Sequence, residues 1–334
     1  MTKPSISFFC CIESGPLETN VIRMVESLRR WGGQYKDAPV LAITPRPGGA
    51  LLEATRLRLM ELGVTHQVLH LPGKYTWFRF MNKAKAFKIA HNLLKTEILV
   101  WLDSDTLIVD EPKLLDLPEG IDFAACATAK GIAVSDQDAS NEPYWESICK
   151  GTGVQWGNFP WVDTWEDKKR IRCYWNSGVV AFRRTSGLGE HYFTLCERIL
   201  SSGIQEKDSG IFYTDQVALA LAMMDLGLKF NELPLTYNFT MRPDAPCPEL
   251  LPEASVIHYR GSMWPPSWDQ FLGQLKLAKP EVYEWLEKKE PLSNPSTFFN
   301  RGMTWLNKIN ESFQTKAFLR AAKKRELKSN CDRT

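Results

Sequence analysis

The sequence predicts an α/β fold: an open, largely parallel sheet with helices on both sides. Three observations lead there. Short apolar runs alternate with longer amphipathic stretches through the first hundred residues. The runs are too short for confident helices and lack polar alternation, so they read as strands buried on both faces. Gly and Pro punctuate the ends of these segments, as strand and helix termini require. Alternation of this kind builds a sheet covered by crossover helices.

The elements follow in order. Ile6 to Ile12 is the first strand and Leu17 to Trp31 its helix, ended by Gly32-Gly33. Val40 to Thr44 is the second strand, closed by Pro45-Arg-Pro-Gly-Gly49. A helix over Thr55 to Leu62 stops at Gly63, and Thr65 to Leu71 is the third strand. Asn82 to Lys95 is an amphipathic helix with Ala86, Ile89, Ala90 and Leu93 on one face, leading into a strand over Ile98 to Leu102. From Ala129 to Tyr174 the chain is loop-rich and carries Tyr144, Trp145, Trp156, Trp161 and Trp165. These rings either seal an excursion over the sheet or stack on a sugar. A strand over Cys173 to Phe182, a helix over Val217 to Met224 and a strand-like Ala254 to Gly261 complete the core. The basic stretch Lys316 to Lys328 shows no clean apolar face. It reads as an ordinary solvated terminal helix, with contact to an anionic bilayer as the weaker expectation.

With 334 residues the chain can bury a substantial core. A formal charge of +2 is near balance and argues against a dedicated nucleic-acid binder. No run reaches the length of a transmembrane helix, and Met1-Thr-Lys-Pro4 leads into a first strand and its polar loop. Eight cysteines show no repeated spacing and no CxxC pair, the pattern of reduced structural thiols in a cytoplasmic protein.

The chemistry concentrates after Ile98 to Leu102, where an apolar strand delivers Asp103 and Asp105. Open α/β sheets bind ligands at this edge. In extended backbone the two carboxylates point to one side. Unpaired acids beside an apolar strand are costly, so a hard divalent cation completed by substrate phosphates is a fitting partner. The plainer reading is one capping Asp beside a solvated one. Asn176, Ser177 and Gly178 offer an amide, a hydroxyl and close backbone approach, against a simple capping turn. Asp215, in Thr214-Asp-Gln216, reads by itself as a helix cap. Among five histidines, His258 stands at a strand end before Tyr-Arg-Gly261 and is the candidate third ligand or phosphate contact. His66, His70, His91 and His191 lack acidic neighbours at useful spacing and read as structural or solvated.

Six segments in a fixed order carry a resemblance: Asn82-Lys-Ala-Lys-Ala86, Leu102-Asp-Ser-Asp-Thr106, Trp175-Asn-Ser-Gly-Val179, Tyr213-Thr-Asp-Gln-Val217, Leu233-Pro-Leu-Thr-Tyr-Asn238 and Ile257-His-Tyr-Arg-Gly261. The set resembles nucleotide-sugar glycosyltransferases of the GT-A fold, most closely the retaining family 8 type that includes glycogenin and bacterial lipopolysaccharide galactosyltransferases. The resemblance implies a Rossmann-like, mixed but mainly parallel sheet in a catalytic domain over residues 1–270, with a C-terminal helical extension and basic tail over 271–334. It implies hexosyl transfer with retention from a nucleotide-sugar donor, a UDP-sugar, dependent on Mn²⁺ or Mg²⁺ held by Asp103, Asp105 and His258. Lys83 or Lys85 would contact the donor, with Ser104, Ser177, Gly178, Arg260 and Gly261 around it. Asp215, Gln216 and Asn176 would lie near the transferred sugar. One departure stands out: the family's late motif continues with glycine, lysine and proline, whereas Gly261 is followed here by Ser262-Met-Trp-Pro-Pro266, which leaves the phosphates to the metal and to Arg260 or another base.

The acceptor stays open among saccharide, lipid-linked glycan, protein and small metabolite. The expected setting is cytoplasmic, with peripheral membrane contact as the weaker expectation. Two other classes compete. One is a non-catalytic carbohydrate- or nucleotide-sugar-binding protein. The other is a phosphohydrolase of the DxDx(T/V) pattern, disfavoured because Leu107 occupies the Thr or Val place and Asp103 comes late in the chain.

Overall fold

Side chains alternate in direction along the central strands and both faces are buried, which fixes the layers of the molecule. The structure, a computed structural model, describes residues 6–242 and 247–331, and side chains as far as residue 324. Met1 to Pro4 and the side chain of Lys328, both named above, lie outside the described residues. In chain order the elements are β1 (Ile6–Cys11), α1 (Pro16–Trp31), β2 (Val40–Thr44), α2 (Glu53–Glu61), β3 (Val64–Val68), α3 (Met81–Leu93), β4 (Ile98–Leu102), β5 (Thr106–Ile108), β6 (Phe123–Cys126), α4 (Glu142–Thr152), β7 (Trp161–Asp163), β8 (Arg170–Arg172), β9 (Asn176–Arg183), α5 (Leu188–Ser202), α6 (Thr214–Asp225), β10 (Phe230–Glu232), β11 (Phe239–Thr240), β12 (Val256–His258), α7 (Trp268–Ala278), α8 (Pro280–Glu287) and α9 (Phe298–Cys331).

The main sheet has the order β10-β6-β9-β4-β1-β2-β3, and only β9 runs against its neighbours. Phe9, Leu99, Trp101, Val180 and Phe182 point into one apolar layer with α3, α5 and α6. Phe8, Cys10, Ile98, Val100 and Leu102 point into the other, with α1, α7 and α8. This is a Rossmann-like α/β fold with a C-terminal helical extension. The strand order reverses between β1 and β4, which opens a crevice at their carboxyl ends. Because β9 is antiparallel, its first residues, Asn176 to Gly178, arrive at that same edge, where the Asp103 amide donates to the Gly178 carbonyl (2.7 Å). A second sheet, β11-β12-β5, stands beside the crevice, with Thr106 opposite His258.

Several sequence expectations change. The stretch from Ala129 to Tyr174 contains α4 and the β7–β8 hairpin as well as loops. Trp145, Ile148, Cys149 and Thr152 form the buried stripe of α4 at helical spacing, a period masked by the surrounding Gly and Trp. Trp145 stacks on Trp156 at 5.3 Å. Cys173, Tyr174 and Trp175 are buried, but the strand begins only at Asn176. Leu93 is exposed at the end of α3, not on its packed face. His191 does meet an acid, Asp225 of α6, at 2.7 Å, because α5 and α6 pack together. The terminal helix begins at Phe298, well before Lys316. Asn300 ties it to Ser14 and the Ala50 carbonyl, and Phe318 packs on Tyr75 and Trp77.

Candidate functional site

Asp103-Ser-Asp-Thr106 is a tight turn, not an extended strand end. The Thr106 amide and hydroxyl both donate to the Asp103 carbonyl, at 3.1 and 2.8 Å. The turn passes the chain from β4 to β5, and β5 pairs with β12, so two sheets deliver the acids and His258 to one point. One ligand atom from each of Asp103, Asp105 and His258 lies within 4.8 Å of the others. His258 Nε2 is 3.3 Å from Asp105 Oδ1 and 4.0 Å from Asp103 Oδ2.

The imidazole is held from behind. His258 Nδ1 lies 3.0 Å from Asn238 Oδ1, Asn238 Nδ2 donates to Asn176 Oδ1 at 2.8 Å, and the same Asn176 oxygen accepts the Gly178 amide at 2.9 Å. With the Asn238 amide oriented in this way, Nδ1 donates to Asn238 and Nε2 faces the acids, as an N–H toward Asp105 or, once deprotonated, as a lone pair for a cation. Gly178 is required here, since a Cβ would stand 2.6 Å from His258 Nδ1 and Cε1. Burial pushes the Asp105 carboxyl up, but His258, with Lys83 further off, holds it below its ordinary value. Two carboxylates and an imidazole with an available Nε2 suit a divalent cation that keeps open positions, and among the described residues no thiolate joins them to suggest structural zinc.

A second cluster adjoins the first. Lys83 Nζ, on α3, bonds Ser177 Oγ at 2.7 Å and the Ser177 carbonyl at 3.0 Å, and pairs with Asp103 at 3.0 Å and Asp215 at 3.4 Å. The Ser177 hydroxyl donates to Asp215 Oδ2 at 2.9 Å. Burial alone would lower the Lys83 ammonium, yet Asp103 and Asp215 hold it above its ordinary value. Asp215 sits in the first turn of α6, where the helix dipole favours a carboxylate, and half-buried Gln216 follows it. Lys85 does not join the cluster. Its side chain is buried with no hydrogen-bond partner among the described residues, and burial followed by the charge of Arg46 lowers its pKa. The Ser104 carbonyl accepts from the Tyr259 hydroxyl at 3.4 Å. Arg260 and Gly261 are exposed just past His258, with Arg260 in the left-handed region at φ 51°.

A family model described as the Rhodobacterales glycosyltransferase domain matches residues 8–227. The chain belongs to this glycosyltransferase family. No curated protein matches the chain in sequence. Among solved structures it is similar to the apo form of the bifunctional glycosyltransferase WbbM, at 14% identity and a TM-score of 0.47, over 85% of this chain and 52% of that one. It is also similar to the glycosyltransferase GlyE of Streptococcus pneumoniae TIGR4, at 15% identity and a TM-score of 0.46, over 88% and 67%. A third is the galactosyltransferase LgtC in complex with donor and acceptor sugar analogues, at 14% and 0.47, over 83% and 99%. The chain thus spans about half the length of WbbM.

Three supporting residues of the site are not marked by the sequence pattern alone. Asn238 closes the resembling segment Leu233 to Asn238, but nothing local marked it as the partner of His258. Trp101 donates its indole N–H to Asp103 Oδ1 at 2.9 Å, although it read only as an apolar strand residue. Glu13, after β1, accepts from Asn82 at 2.6 Å and pairs with both nitrogens of the Arg46 fork at 2.8 Å. Of the tryptophans, Trp145 and Trp175 are core, whereas half-buried Trp161 lies under the Arg172 guanidinium at 4.3 Å.

Proposed function

We propose that this protein transfers a hexosyl group from a UDP-sugar to an acceptor, with retention of anomeric configuration in the manner of family 8 enzymes. The observation that carries the reading is the convergence of Asp103, Asp105 and His258 beside the Lys83, Ser177 and Asp215 cluster. Asp103, Asp105 and His258 would hold Mn²⁺ or Mg²⁺, which supplies Lewis-acid neutralisation of a leaving diphosphate. Lys83 balances the negative charge of Asp103 and Asp215 from between them. Asp215 and Gln216 take the place beside the transferred sugar, where carboxylate and amide oxygens favour positive charge growing at the anomeric carbon. Asn176 acts through Asn238 and Gly178 on the posture of His258. Ser104, Ser177, Gly178, Arg260 and Gly261 border the donor, Arg260 standing in for the family's lysine. Its left-handed backbone, unusual outside glycine, fits a functional constraint. The acceptor is reached by the segment around Trp161. Residues 1–270 serve as the catalytic unit and 271–334 as its extension. A cytoplasmic setting fits the free cysteines, nearly all of them buried.

Release of UDP from a panel of UDP-sugars with Mn²⁺, compared between the parent and Asp105→Ala, tests the reading. Metal-dependent release lost in Asp105→Ala is the expected result. Equal UDP affinity with and without Mn²⁺, together with no release from any donor, would refute it. Metal-dependent nucleotide binding without turnover would point to a non-catalytic binder.

A further inference from the structure

The first half of α9 is turned inside out for a surface helix. Its inward face is polar, with Asn300 bonded to Ser14 and Ala50 and Glu311 paired with Arg79. Phe298, Phe299, Trp305, Leu306, Ile309 and Phe313 instead face outward, at exposures from 47% to 95%. At 3.6 residues per turn these six fall within an arc of about 120°. An apolar patch of six large side chains on one stripe is a surface that needs a partner.

The same stripe continues into Lys316, Arg320, Lys323 and Lys324, all exposed. Between Phe298 and Lys324 the only acid is Glu311, and it is turned to the body of the protein. We propose that the outer face of α9 docks on an anionic lipid surface, with the aromatic half set at the headgroup boundary and the basic half on the lipid phosphates. Aromatic and aliphatic anchors followed by cations on one helical face are what an interfacial helix presents. Among the described side chains, the outer face of a second α9 offers no acid to answer four cations, so charge complementarity selects lipid over self-association. The helix lies on the surface and does not cross it, since no helix among the described residues is long and apolar enough to span a membrane. This inference stands independently of the donor chemistry.

Vesicle flotation of the full chain decides it. Vesicles of phosphatidylcholine with about one-third phosphatidylglycerol are compared with pure phosphatidylcholine, at low and at high salt. Two variants are used, Trp305→Ser with Phe313→Ser, and charge reversal at Lys316, Arg320, Lys323 and Lys324 to Glu. The parent should bind anionic vesicles and lose about tenfold in partitioning at high salt or on neutral vesicles, and each variant should lose about tenfold. Unchanged thermal unfolding of both variants confirms that only the surface was altered. Failure of the parent to bind anionic vesicles overturns the inference, as does binding undiminished in both variants. A concentration-dependent dimer that Trp305→Ser with Phe313→Ser dissociates, without vesicle binding by the parent, assigns the stripe to a second copy and also overturns it.

Discussion

Replacing Gly178 by alanine should disable the cation site through a single methyl group. The backbone at Gly178 is outside the left-handed region, so a Cβ is conformationally allowed and the effect is steric. That Cβ would stand 2.6 Å from His258 Nδ1 and Cε1 and 3.0 Å from Asn176 Oδ1. Ordinary carbon contacts begin near 3.5 Å, so the ring must retreat by about 1 Å. His258 is buried and hydrogen-bonded to Asn238, so retreat breaks the bond that orients Nε2. A displacement of this size costs roughly 100-fold where positioning matters, and losing the hydrogen bond that orients a metal-binding histidine costs about 10–100-fold. Overpacking should cost about 1–3 kcal/mol of stability. Calorimetric titration of UDP with and without Mn²⁺ reads the first effect, and thermal unfolding the second. The same change made in a His258→Ala background should destabilise clearly less, because the closer obstruction is gone and only the 3.0 Å contact with Asn176 Oδ1 remains. Wild-type Mn²⁺-dependent affinity in Gly178→Ala, or an undiminished stability cost in the double variant, would refute the steric argument.

Other perturbations follow from the same geometry. Asn238→Ala should weaken Mn²⁺ binding by about 10–100-fold and cost about 1–3 kcal/mol by leaving His258 Nδ1 unpaired, while metal-free nucleotide affinity stays unchanged in titration. Trp145→Ala should cost about 3–5 kcal/mol by denaturant unfolding, whereas Trp161→Ala should cost less than about 1 kcal/mol and show itself in acceptor KM more than donor KM. Glu26 pairs with Arg58 at 2.8 Å and Lys289 at 2.7 Å; burial would raise its carboxyl, but the two cations hold it below the ordinary value. Its stabilising contribution is therefore full above the unfolded glutamate value of about 4.3 and is lost as pH falls through the lower folded value. Glu26→Gln should cost about 1–2 kcal/mol at neutral pH, and the gap to the parent should close in acid; a gap constant with pH would rule this out.

Local pattern determined much of this protein. Strands such as Ile98 to Leu102 are buried on both faces, so their unbroken apolar runs announce a covered sheet, and the period of Asn82 to Lys95 announces its helix. Asp103 and Asp105 were legible because carboxylates at the end of such a strand have few cheap environments. Tertiary structure alone decided how the site closes. Lys83 and Lys85 are two apart on one helix and so face different neighbours, and only the packing of α3 sends Lys83 to Asp103 and Asp215 while burying Lys85. Ser177 reaches Asp215 because β9 runs antiparallel, and His258 reaches the acids because β12 belongs to a second sheet. The outward aromatic stripe of α9 was likewise invisible, since a helix's period shows that it has two faces but not which one the fold will cover. Hydrophobic periodicity is a property of neighbours in sequence, whereas strand direction and sheet order join residues more than a hundred positions apart.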